Sequence, residues 1–64
     1  MPFVQVSLAA GRTPEQIRTL ITEISEAVVR GVGAPLANVR VVVTEVPETH
    51  WAAGDVTLAE RRHV

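Results

Sequence analysis

The sequence predicts an α/β (α+β) fold, a single β-α-β unit with parallel strands and a C-terminal hairpin or arm. Three observations predict it. Apolar residues alternate with others from Pro2 to Leu8; from Pro14 onward they recur every three or four positions; and Asn38 to Val46 is almost continuously β-branched. These are the patterns of a strand, an amphipathic helix and a strand covered on both faces.

The first strand rests on Val4, Val6 and Leu8 alternating with Phe3, Gln5 and Ser7. Pro2 opens it without loss, because the first residue of a strand need not donate an N–H. Ala9-Ala10-Gly11-Arg12 is a short connection. Thr13 is then the expected N-cap and Pro14 the first helical residue. Gln16, three residues after the cap, completes a box in which each side chain satisfies the other's backbone N–H. Ile17, Leu20, Ile21, Ile24, Ala27 and Val28 mark the apolar face of the helix, with Arg18, Thr22, Ser25 and Glu26 largely on the other. Gly33 is the expected left-handed cap and Pro35 bars continuation, giving about five turns. Asn38 to Val46 supplies the second strand. Strand, helix of roughly nineteen residues and strand make a right-handed crossover with the two strands parallel. The tail from Pro47 to Val64, with a turn signal at Gly54-Asp55, is too short for a second domain and is read as a hairpin or an arm onto a neighbour. Residues 1–64 read as one domain.

A chain of 64 residues buries only about 60% of the surface its unfolded form exposes. It has no cysteine, and its two histidines, His50 and His63, are too few and too far apart to suggest a zinc site. One helix covers one face of a two-stranded sheet, which leaves the second face and both edges open. Self-association, with sheets stacked and edges paired, is the expected route to stability.

Composition narrows the function. The chain has six arginines, no lysine and a net charge of −1, and Phe3 and Trp51 are its only aromatic residues. Without a basic stripe or stacking residues, nucleic acid is not an expected partner. The absence of lysine excludes a lysine Schiff base. No apolar run approaches the roughly 18 residues of a membrane span, and the N-terminus lacks the basic stretch and apolar core of a signal peptide, so a cytoplasmic protein is expected. Neither a metal nor a cofactor is read from the sequence.

Pro2 follows the initiator Met1. Removal of Met1 leaves a secondary amine at the N-terminus. An α-amino group titrates at roughly 7.7–8.0, and a dry or cationic pocket lowers that value by disfavouring the protonated form, so Pro2 could serve as a base at neutral pH. The plain alternative is a proline tolerated at a strand start. Arg12, just ahead of the helix cap, sits where the helix dipole disfavours a cation unless an anion binds in front of it; its alternative is a solvated loop arginine. Arg40 interrupts a valine-rich strand, either as an anion clamp or as an edge residue whose guanidinium reaches water. Trp51 is an apolar wall for a pocket, an interface anchor, or both. His50 reads as structural or exposed, and Arg61-Arg62 as a solvated tail pair. In a parallel pair Arg40 lies near Pro2, whereas Arg12 is about 20 Å away at 3.3 Å per residue. A site combining all four is therefore expected to be shared between subunits.

In this order and spacing the chain resembles the 4-oxalocrotonate tautomerase family, the small members of the tautomerase superfamily. The resemblance runs nearly end to end: Pro2 after the initiator, Gly11-Arg12 ahead of the helix, Glu23 to Ala27 within it, Ala34-Pro35-Leu36, Val39-Arg40-Val41, Thr44-Glu45, and His50 followed by an aromatic residue. It implies a β-α-β fold with a C-terminal hairpin, assembled as a homohexamer built from dimers. It implies an isomerase in which Pro2 is the general base and Arg12 and Arg40 bind carboxylate and polarise the substrate carbonyl. Trp51 stands where the family usually has phenylalanine, and Ala10 where its best-known members have an acid. The substrate so implied is a small unsaturated 2-oxo or 2-hydroxy-dienoate acid such as 2-hydroxymuconate. Related dehalogenases resemble the fold but carry an extra arginine and an acid where this chain has Ala9 and Ala53, so water addition is not expected. Two alternatives remain: a proline that forms iminium adducts with aldehydes, and a catalytically silent structural subunit, especially if Met1 is retained.

Overall fold

The β-α-β unit is present, followed by a hairpin and one further turn of helix. A computed structural model describes residues 1–62. It contains β1 (Phe3–Ala9), α1 (Pro14–Val32), β2 (Arg40–Val46), β3 (Ala52–Ala53), β4 (Val56–Thr57) and α2 (Leu58–Arg61). His63, the second histidine weighed as a metal ligand, and Val64, the end of the tail, lie outside the described residues.

Local chemistry sets the helix boundaries. Gln16 N–H donates to the Thr13 hydroxyl at 3.1 Å, and Thr13 N–H donates to Gln16 Oε1 at 2.9 Å. Pro14 gives up an N–H that the first turn leaves unpaired in any case. At the other end Gly33 takes φ 71°, and its N–H closes on the Val29 carbonyl at 3.0 Å. Thr13→Ala is expected to cost about 1 kcal/mol per chain and Thr13→Ser far less, measured by urea unfolding; equal losses for both would mean that the hydroxyl is not the cap.

β1 and β2 pair in parallel, Phe3 opposite Arg40 through Ala9 opposite Val46. Because side chains alternate across a sheet, Val4, Val6 and Leu8 share one face with Val41 and Val43, and α1 packs on that face. Phe3, Gln5 and Ser7 share the open face with Arg40, Val42 and Thr44. Ile17, Leu20, Ile21, Ile24 and Val28 are half-buried, but Ala27 is exposed and Ser25 is half-buried. At 100° per residue Ala27 lies about 80° from Ile17 on the side away from Val29, beyond the covered arc.

The second strand starts later than its composition suggests. Leu36–Asn38 forms a single 3₁₀ turn, in which Asn38 N–H donates to the Pro35 carbonyl at 2.9 Å and Val39 N–H to the Leu36 carbonyl at 3.1 Å. Asn38 therefore belongs to the turn, and β2 begins at Arg40.

The tail is the predicted hairpin, β3 antiparallel to β4, with Gly54 and Asp55 at φ 60° and 65°. α2 was not predicted. It opens with a second capping box: Glu60 N–H donates to the Thr57 hydroxyl at 3.1 Å and Thr57 N–H to Glu60 Oε1 at 2.8 Å. The Thr57 backbone bond, then the Thr57 hydroxyl, holds the Glu60 carboxyl below the usual glutamate range.

Alone, the chain lacks an interior. No described residue is fully buried, and the exposed surface is 4779 Å², against about 4,000 Å² for a compact chain of this mass. The radius of gyration is 14.9 Å, where a compact chain of this length has about 11 Å. Phe3 is 62% exposed on the open sheet face, and Val32 and Leu36 are 72% and 61% exposed beside the end of α1. Such a layer has packing on its open face still to be supplied.

Candidate active site

One end of the sheet brings Pro2 and Arg40 together. Pro2 immediately precedes β1, and its carbonyl accepts the Arg40 N–H at 3.0 Å. Met1, ahead of it, is 85% exposed. The Arg40 guanidinium is tied back to the preceding turn, its Nη1 donating to the Ala37 carbonyl at 2.9 Å and more weakly to Val39 at 3.4 Å. A guanidinium has five N–H donors in a rigid fork, so these bonds orient the side chain and leave the rest of the fork for an anion. Arg40 is the first residue of β2, at the edge, and is exposed.

The opposite end carries Arg12 and Trp51. Arg12 follows β1 through Ala10, whose N–H donates to the Val46 carbonyl at 2.8 Å. Its Nη1 donates to the Ala9 carbonyl at 2.9 Å. Ala10, Gly11, Arg12, Gln16, Glu48 and Arg62 line a cavity of about 490 Å³ there. Gly11 has φ 125°, a conformation that a side-chain-bearing residue rarely adopts. Glu48–His50 forms a short 3₁₀ turn after β2, and Trp51 follows it, 36% exposed, with its carbonyl accepting the Leu58 N–H at 2.9 Å. His50 is exposed.

The four residues singled out in the sequence thus form two pairs, Pro2 with Arg40 and Arg12 with the Trp51 segment. A seven-residue strand separates them, about 20 Å at 3.3 Å per residue. Within one chain they do not meet.

A profile of the tautomerase enzyme family matches residues 2–61. The chain belongs to the tautomerase family. It is therefore an isomerase of the keto–enol class, as the resemblance implied. Among its relatives is a 2-hydroxymuconate tautomerase of Stutzerimonas stutzeri, 48% identical over 54 residues, 84% of this chain and 86% of that one. Another, from Pseudomonas putida, is 43% identical over 60 residues, 94% and 95% of the two chains. Among solved structures, TomN, a 4-oxalocrotonate tautomerase homologue of the tomaymycin biosynthetic pathway, superposes with a TM-score of 0.96 at 35% identity, covering 98% of this chain and 97% of that one.

The tautomerase fold also gives tail residues partners that the sequence did not assign to them. Glu48 pairs with Arg62, Oε2 to Nε at 2.7 Å, and Arg61 Nη2 donates to the Ala53 carbonyl at 3.3 Å. Arg61 and Arg62 are exposed, as read, but each has a partner. One signal could have found them: Thr57-x-x-Glu60 is a capping box, and the helix it starts turns Arg61 and Arg62 back toward Ala53 and Glu48. Among the described residues no helix is long and apolar enough to cross a membrane.

Proposed function

We propose that this tautomerase moves a proton along a small unsaturated 2-hydroxy-dienoate or 2-oxo acid of the 2-hydroxymuconate type, with the Pro2 nitrogen as general base once Met1 is removed. The observation that carries this reading is the apposition of Pro2 and Arg40 across the strand ends. It sets the backbone of the residue that would carry the imino group against that of Arg40, whose guanidinium keeps donors beyond its bonds to the preceding turn. The exposure of Met1 favours its removal. The relatives named for 2-hydroxymuconate supply the substrate class.

In the proposed reaction Pro2 takes the proton of the 2-hydroxyl group. The enol O–H bond breaks, negative charge spreads over the conjugated chain, and the protonated proline returns the proton to a carbon further along, leaving the 2-oxo acid. Arg40 holds the carboxylate next to the reacting carbons and stabilises the oxygen as charge develops. Arg12 of another subunit binds the remote carboxylate, and Trp51 excludes water from the space between. The whole chain acts as one tautomerase domain in the cytoplasm.

The same reading assembles the chain as a homohexamer built from dimers. The unburied interior of the isolated chain and the exposed apolar residues on its sheet and helix support association. A related 4-oxalocrotonate tautomerase from Chloroflexus aurantiacus, 37% identical with a TM-score of 0.90 over 94% of this chain and 97% of that one, is a heterohexamer.

The test combines intact mass with an ultraviolet assay. Protein that has lost Met1 is expected to ketonise 2-hydroxymuconate. Met1-free protein without turnover of such dienols would sink the proposal, and retention of Met1 in the native protein would leave a silent structural subunit.

A further inference from the structure

The cavity at the Arg12 end carries more charge than Arg12 alone. Two guanidiniums, Arg12 and Arg62, and one carboxylate, Glu48, line it with Gln16. Arg12 has one bond to the Ala9 carbonyl and keeps its other donors. Arg62 is 71% exposed, and its Nε is held by Glu48, whose side chain is only 26% exposed. Ala10, the neighbouring wall residue, adds no charge. The wall is thus positive by one unit, with Glu48 cancelling the second guanidinium.

On the tautomerase reading, this is the end that meets the remote part of the substrate. We infer that Glu48 is a specificity-determining residue: by neutralising Arg62 it limits the preference of the enzyme for substrates with a second carboxylate over those with one. Glu48 touches no reacting atom. It sets the field at the remote end, which acts on binding of a distant charge and therefore on KM more than on kcat. One unit charge about 7 Å from a carboxylate in a water-like medium changes its binding roughly threefold, and salt screens that over about 8 Å at physiological ionic strength.

The experiment compares kcat/KM, at low ionic strength with full-length Met1-free protein, for 2-hydroxymuconate and for 2-hydroxypenta-2,4-dienoate, the same conjugated acid without its second carboxylate. Glu48→Gln is expected to raise the ratio of the two about threefold, mainly through KM, because Arg62 is then uncompensated. Arg62→Gln is expected to lower it by a similar factor. Glu48→Gln with Arg62→Gln restores the charge of the wall and is expected to bring the ratio back to that of the parent protein. At high salt the differences disappear. An unchanged ratio in Glu48→Gln overturns the inference. So does a double variant further from the parent than either single one, because the pair would then be holding the turn in place and not setting charge. Failure of the parent protein to turn over either acid would be separately visible, since it removes the tautomerase reading itself.

Discussion

Met1-free protein with Pro2→Ala is expected to turn over 2-hydroxymuconate at least about a hundredfold more slowly than the parent, within the 10²–10⁴ range that a positioned general base contributes. Alanine leaves a primary amine at the terminus, so some activity persists. A chain that keeps Met1, in which the Pro2 nitrogen is an amide without a basic lone pair, is expected to lose the whole of that contribution. Neither change disturbs the fold, because the bond that Pro2 makes comes from its carbonyl, which accepts the Arg40 N–H at 3.0 Å in either case. The pH profile supplies an independent readout. A base must be unprotonated, so kcat/KM rises with pH through the pKa of the imino group. On the proposed mechanism, a guanidinium held near the imino group favours its neutral form and lowers the midpoint of that rise. Arg40→Gln is therefore expected to shift the rise to higher pH besides weakening carboxylate binding. Stopped assays across pH on the parent and the three altered proteins check all of this. Full activity in the Met1-retaining chain would remove Pro2 from the mechanism.

Much of the fold was legible in the residues because the deciding interactions are local. Thr13, Pro14 and Gln16 start α1 through bonds spanning three residues, and Gly33 ends it through its own left-handed backbone. The pairing of β1 with β2 follows from the length of the crossover helix, and the register then places Arg40 beside Phe3 and next to Pro2. What was misread depends on competition between neighbours. Asn38 lies in a strand-like run, yet Pro35 offers its carbonyl and a 3₁₀ turn wins. Ala27 fits the apolar spacing but falls at the rim of the arc covered by the sheet. The cavity at Arg12 was not legible at all, since it depends on Glu48 meeting Arg62. That encounter requires the turn after β2, the hairpin and α2 to be folded together.

The division of the four residues between the two ends of the sheet carries the second large expectation. Pro2→Ala and Arg12→Gln are each expected to be nearly inactive as pure assemblies, yet assemblies containing both chains are expected to recover activity. A site that takes its proline from one subunit and its Arg12 from another is intact whenever the first chain carries Arg12→Gln and the second carries Pro2→Ala. Random mixing in equal amounts makes about one quarter of the sites whole. The geometry behind this is the seven-residue strand between Pro2 and the Arg12 connection, together with the tether of Arg12 to Ala9 and of Arg40 to Ala37, which point each guanidinium to its own end of the chain. Co-expression with two affinity tags, tandem purification of the mixed species and an assay of 2-hydroxymuconate turnover provide the measurement. The two pure variants mixed without subunit exchange serve as the control. Recovery near one quarter of parental activity identifies a shared site. A purified mixed assembly as inactive as its parts would mean that Pro2 and Arg12 act within one chain, against which the strand that keeps them apart argues; an active pure Arg12→Gln assembly would mean that Arg12 is not part of the site.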